Sequence, residues 1–251
     1  MKRNHFKRFA ALALSAVCGA ACLAGCGTQP TAATALETIQ QPKTGSYEDW
    51  ELIQQTRQEN PVSESTFTAL DHFAYTTAAQ VLGEDADGSY SPLSLYYALA
   101  LAATGAAGET QTQMLDLLGI SDPAQLSDQC AKLYRLLIRD NEVGTLRLAN
   151  SLWMDQRVDW KQSFVTQAAQ DFYAEVYQVD FTTDEAPKAM AQWVAQQTGG
   201  LLTPTFQPTD QQVLSLLNTL YFTDEWYDRF QSKNTQSDTF TKADGSQVTC
   251  D

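Results

Sequence analysis

Two serines, Ser91 and Ser94, open the segment SPLSLYYALALAATGAAGET, which is nearly all apolar from Leu93 onward. Lying three residues apart, they share one face of any helix that forms there. Ser91 followed by Pro92 is a helix start, because the hydroxyl accepts from a free backbone N–H and proline loses nothing at the first helical position. Ser94 has no such duty, and a hydroxyl entering a buried region costs stability unless it is bonded. Nucleophilic chemistry is not indicated: there is no nucleophile elbow, no paired carboxylate motif and no metal-ligand spacing, so the sequence does not read as an enzyme. TGAAGET has two glycines but lacks the lysine and spacing of a phosphate loop, and no glycine-rich loop follows a strand, so no cofactor is expected. What remains for the serines is hydrogen bonding.

The elements around them are legible from periodicity. Helical spacing predicts helices over 65–82, 92–104, 109–118, 123–139, 160–173 and 185–198, with a further short helix within 47–58. Asp122-Pro123 repeats the cap-then-proline start, while Gly119 and Gly199-Gly200 are stop signals. Segments 144–154, 175–181 and 213–222 read as strands, and SDTFTKADGSQVT as a hairpin turning at Asp244-Gly245. A block of four helices therefore precedes an alternation of strand and helix, with no internal repeat.

The N-terminus is an export signal. Lys2, Arg3, Lys7 and Arg8 precede an uncharged apolar run that ends in Leu23-Ala24-Gly25-Cys26. This ending resembles the lipobox of bacterial lipoproteins, in which Cys26 would carry diacylglycerol and become the mature N-terminus. An ordinary secretory signal or an uncleaved anchor helix are the alternatives. The reading divides the chain into a signal (1–26), a polar tether (27–62) and a domain (63–251), held by lipid on the extracytoplasmic face of a cell membrane. Losing the four signal cations takes the formal charge from −14 to −18, which argues against nucleic acid or anionic lipid as a partner. Cys18 and Cys22 leave with the signal, so Cys130 and Cys250 alone remain and no disulfide framework is expected. Cys130, inside a helical pattern, reads as a buried small hydrophobe. The mature part has one histidine, His72, and no thiol nucleophile motif.

YSPLSLYYALALAATGAAGETQTQMLDLLG resembles the second and third helices of the serpin family, with Ser-Pro-x-Ser and Gly-x-x-Gly-x-Thr. LRLANSLWMDQ resembles the serpin strand carrying Ala-Asn-x-Leu-Trp, here with Asn150. FVTQAAQDFYAEVYQVDF is similar to the helix and strand that follow it. MAQWVAQQTGGLL is similar to the helix across the main sheet, with Trp193, and LNTLYFTDEWYDRF to the next strand, with Asn218, Trp226 and Phe230. TFTKADGSQV is similar to the Asp-Gly hairpin. The motifs run in order from about residue 65 to residue 251.

The resemblance implies an α+β fold, a helix block packed on a large mixed sheet. It implies that Ser91, Ser94 and Asn218 form a hydrogen-bonded cluster where two central strands part, and that Pro92, Asn150, Trp193, Trp226 and Phe230 are structural. It implies an inhibitor of serine proteases, or of cysteine proteases in some members. There the protease attacks an exposed loop, and the cleaved loop inserts into the sheet and carries the acyl-enzyme with it. A non-inhibitory binding lipoprotein or a non-functional fragment are the other readings. The family pattern continues past the hairpin with further strands and the reactive-centre loop. The 251 residues are thus expected to be the N-terminal part of the domain, from an incomplete gene product or partial reading frame. Departures include Asp87 for the usual Asn, Leu201 for Lys, and Thr223-Asp224 for Lys-Gly.

Overall fold

The computed structural model describes residues 33–83 and 88–250. Cys26 and Asp87 lie outside these residues. The helix block is α2 (Glu64–Val81), α3 (Pro92–Gly105), α4 (Gly108–Leu118) and α5 (Pro123–Leu137), preceded by β1 (Thr34–Ala35) and α1 (Trp50–Glu59). The termini obey their local chemistry. Ser63 caps α2 by accepting from Thr66 N, Asp122 caps α5 by accepting from Ala124 N, and Gly119 closes α4 at φ +71°, where a side chain would be strained. Tyr96 and Tyr97 of α3 are buried and donate to the carbonyls of Leu118 and Cys130, which fastens α4 and α5 to it.

After the block come β2 (Arg139–Asp140), β3 (Thr145–Asp155), α6 (Gln162–Asp171), β4 (Ala174–Val179), α7 (Glu185–Gln197) and β5 (Leu214–Thr223). A 3-10 turn (Ser232–Asn234) leads to a separate hairpin, β6 (Asp238–Thr241) and β7 (Gln247–Cys250), which turns at Gly245 with φ +82°. The large sheet is mixed: β4 runs parallel to β3 through the α6 crossover, whereas β5 pairs antiparallel along ten residues of β3. β1 adds antiparallel to β4, and β2 to the start of β3.

Strand alternation sends the two faces into two cores. Leu148, Leu152 and Met154 pack with α3 and the other block helices, joined by Leu214, Leu216 and Leu220 of β5. Trp153, Tyr177 and Val179 face the other way, under Met190, Trp193 and Val194 of α7.

Several expected boundaries move, most of all those of α5 and α6. α5 ends at Leu137 rather than Arg139, because Arg139 and Asp140 pair with Leu146 and Thr145. α6 starts at Gln162 because the Trp160 indole N–H donates to the Asp155 carbonyl. It stops before Tyr173, which turns into β4 at φ +51°. In the stretch read as a polar tether, the described residues 33–62 are seated on the domain. They contribute β1 and α1, and Asn60 is buried with its amide oxygen accepting from Arg135 Nε.

Candidate functional site

Ser91 is the cap its position predicts: its Oγ accepts from Ser94 N at 3.2 Å, and Pro92 occupies the first turn. The Ser94 hydroxyl is half-buried and makes no hydrogen bond among the described residues. Asn218 lies directly opposite Asn150 in the β3–β5 register, so both side chains leave the sheet on the face toward the helix block. Asn218 Nδ2 donates to Asn150 Oδ1 at 2.6 Å, and Asn150 Nδ2 donates onward to the carbonyl of Phe172 at 2.7 Å, the C-cap of α6. The expected cluster of Ser91, Ser94 and Asn218 is therefore not joined by hydrogen bonds. Ser91 is occupied as a cap, and Asn218 Nδ2 is engaged by the amide opposite it in the sheet. Asn150, expected to be structural, is the hub of the polar seam.

The seam is under-satisfied. Asn218 Oδ1, Thr219 Oγ1 and Trp193 Nε1 are buried without a hydrogen-bond partner among the described residues. Consecutive strand residues face opposite sides, so the Asn218 and Thr219 atoms flank β5 on its two faces. Trp193 belongs to the core on the α7 side. Each such atom forgoes roughly 1–3 kcal/mol relative to a bonded one. β5 is also only partly buried along most of its length, whereas β3 is fully buried from Asn150 to Asp155.

Both ends of β5 are pinned. Asp155, fully buried, holds Arg157 in a two-pronged pair, with Nε to Oδ1 at 2.7 Å and Nη2 to Oδ2 at 2.8 Å. Arg157 then donates to the carbonyls of Asp210 (3.1 Å) and Gln212 (3.3 Å), just before β5. These hydrogen bonds from Arg157 outweigh desolvation and bring the Asp155 carboxyl down to about 2. At the other end Asp224 faces Arg139 at 3.6 Å, where the family pattern has glycine. Gly144 meets the Thr223 carbonyl so closely that an added Cβ would lie 2.8 Å from it. Neither clamp was anticipated from the sequence; the Asp-x-Arg spacing after a strand, in MDQR, was the available signal.

The other named residues separate into two kinds. Trp193 is buried beside Trp153 and Tyr177, as a structural role requires. Trp226 and Phe230 are 72% and 85% exposed and contact each other edge-to-face at 6.0 Å, so they support no core among the described residues. Cys130 is buried, and burial pushes its thiol up, so it behaves as a small hydrophobe. Cys250 is exposed. No group of three or more metal-ligating side chains occurs among the described residues, and no helix there is long and apolar enough to cross a membrane.

β5 thus packs beneath the Ser-Pro-x-Ser helix α3 on one face and against the α7 core on the other. The family model for serpins (serine protease inhibitors) matches residues 68–251. This chain belongs to the serpin family. It is 33% identical over 171 residues to Serpin-Z2B of Triticum aestivum, covering 64% of this chain and 43% of that protein. Serpin B6 of Macaca fascicularis is 30% identical over 171 residues, covering 64% of this chain and 46% of that protein. Among solved structures, the thermophilic serpin tengpin in its latent state superposes with a TM-score of 0.69 at 23% identity, over 75% of this chain and 52% of tengpin. The Arabidopsis serpin AtSerpin1 in its native stressed conformation gives a TM-score of 0.65 at 26% identity, over 77% of this chain and 50% of that one. The chain thus spans less than half the length of these curated relatives, and the serpin fold expected from the sequence is the fold observed.

Proposed function

We propose that this serpin is the N-terminal half of a protease inhibitor, directed at serine proteases, or at cysteine proteases as in some members, and tethered to a membrane through Cys26. The observation that carries the inhibitory reading is β5. It is bonded to β3 along ten residues and through Asn218 to Asn150, and it carries buried polar atoms without partners among the described residues on both faces. An inhibitor that accepts a cleaved loop as a new strand needs polar groups in the sheet that can take new partners, and Asn218 Oδ1 and Thr219 Oγ1 are such groups. The tether reading rests on the Leu-Ala-Gly-Cys ending of the signal.

The test uses the gene expressed through to its stop codon and a panel of serine and cysteine proteases. A covalent complex that survives detergent, with the protease joined to a fragment of the inhibitor, is the expected result. Cleavage as an ordinary substrate by every protease, without a complex, would replace this with the non-inhibitory binding role. Mass spectrometry of the membrane fraction is expected to find a diacylglyceryl peptide beginning at Cys26. A mature N-terminus elsewhere sinks the tether.

A further inference from the structure

We propose that residues 33–47 are a strap laid along the domain rather than a free leash, and that they hold one end of the main sheet next to the membrane. The second half of the statement rests on lipidation of Cys26; the first does not. The strap enters at the end of the sheet where β3 and β4 finish. Ala33 packs on the core of Trp153 and Tyr177, and Thr34 and Ala35 pair with Gln178 and Tyr177. Leu36 N donates to the Val176 carbonyl at 2.8 Å, and its side chain packs into the helix-block core. The chain then climbs the domain. Gln162 Nε2 donates to Glu37 at 3.3 Å, Tyr134 OH donates to the Gln41 amide oxygen at 2.9 Å, and Tyr47 N donates to Glu142 Oε1 at 3.1 Å, in the turn before β3. It therefore runs from the finish of β3 to its start, a strand of 11 residues and about 35 Å.

This placement changes the geometry of anchoring. A free linker over 27–62 would reach on the order of 120 Å when extended, whereas residues 27–32 reach at most ~25 Å. A lipid on Cys26 then keeps the β1–β4 edge close to the headgroups. Asp184 and Glu185, exposed just beyond β4, oppose lying flat on an anionic surface. β5 runs the other way along β3, with Thr223 opposite Thr145, so the chain leaves the sheet at the end remote from the anchor. Everything after Thr223 begins on the aqueous side, where a soluble protein partner can reach it. The strap also covers the backbone of β4, which would otherwise be an open strand edge.

The experiment uses the lipidated full-length gene product in phosphatidylcholine–phosphatidylglycerol vesicles that carry a headgroup acceptor dye. In a background with Cys250→Ser and any cysteine beyond residue 251 replaced, with Cys130 buried, a donor dye is placed at Thr182→Cys or at Asp140→Cys, near the two ends of the sheet. Transfer from Thr182 is expected to exceed transfer from Asp140 at least twofold, as a separation of about 35 Å requires. Ala35→Pro with Leu36→Asp should release the strap, lowering both signals and bringing them together. A twenty-residue Gly/Ser insertion after Pro30 should do the same without touching the domain, which covers the case where the strap variant fails to fold. Equal transfer from both sites, or no response to the insertion, overturns the proposal. Protein that does not float with vesicles overturns the anchor and the short link together. In that case the Leu36 amide decides the strap alone: exchange slowed at least ~100-fold below the random-coil rate supports it, and free exchange refutes it.

Discussion

Replacing Asn150 should cost much more stability than replacing Asn218, although the two amides are bonded to each other. Asn150 is 3% exposed and serves two partners, accepting from Asn218 Nδ2 at 2.6 Å and donating to the Phe172 carbonyl at 2.7 Å. Asn150→Leu strands the Phe172 carbonyl and leaves the whole Asn218 amide unpaired, because Asn218 Oδ1 has no partner to begin with. With roughly 1–3 kcal/mol for each buried group left unsatisfied, the loss is about 3 kcal/mol. Asn218→Leu leaves Asn150 Oδ1 without a donor, yet it removes the orphaned Oδ1 and adds an apolar side chain between Leu216 and Leu220. These effects oppose one another, so the net change should fall within about 1 kcal/mol of zero. The double variant should be less destabilised than Asn150→Leu alone, since no stranded amide remains on β5. Urea unfolding of the four proteins tests this through the midpoint at constant slope. Equal losses for the two single variants, or additivity within ~0.5 kcal/mol, would refute a seam organised on Asn150.

Acid should loosen the entry to β5. The folded Asp155 carboxyl sits at about 2 against an ordinary 3.8, so its contribution is fully present above pH 4 and is lost as pH falls through 4 to 2. The urea midpoint should drop across that window, and Asp155→Asn should flatten the drop; an unchanged pH profile in Asp155→Asn would show that the clamp is idle. Gly144→Ala should destabilise by at least ~1 kcal/mol, because the added Cβ would lie 2.8 Å from the Thr223 carbonyl, a backbone atom. A calorimetric melt at the unaltered temperature would contradict it. Trp193→Phe removes an indole N–H that has no partner and should cost no more than about 1.5 kcal/mol, far less than emptying a buried tryptophan site.

The helices were legible because their signals are local. Ser91-Pro92, Asp122-Pro123 and Gly119 act within a turn of themselves, and each terminus falls where the cap chemistry puts it. The misplaced boundaries are those decided by distant partners: Arg139 leaves helical geometry to pair with Leu146, and Trp160 turns its indole to the Asp155 carbonyl. The strap fails to announce itself for a related reason. Its Thr, Gln and Pro content describes a linker, but a strand edge bonds backbone, and backbone is blind to composition. The Asn150–Asn218 bond needed the β3–β5 register, which no single segment encodes; a shift of one residue would put the two amides on opposite faces. Trp226 and Phe230 belong to a motif that sequence alone identifies, and among the described residues they touch each other rather than a core.

β3 and β5 carry the same kind of sequence, alternating leucines around one asparagine, and they are held in opposite ways. β3 has neighbours on both edges and is fully buried from Asn150 to Asp155. β5 bonds β3 alone among the described residues, and it has an unsatisfied polar atom on each face at Asn218 and Thr219. Its fixed points are at the ends: Arg157 holds the Asp210 and Gln212 carbonyls before it, and Arg139 faces Asp224 after it. A strand built this way resists translation along its length, because both ends are tied to charged groups. Its middle is tied to β3 by the backbone ladder and the Asn218–Asn150 hydrogen bond, while Asn218 Oδ1 and Thr219 Oγ1 are left able to gain partners when water or another strand enters. The asparagine at its centre thus closes the sheet onto β3 with its Nδ2 and leaves its Oδ1 for a partner still to come.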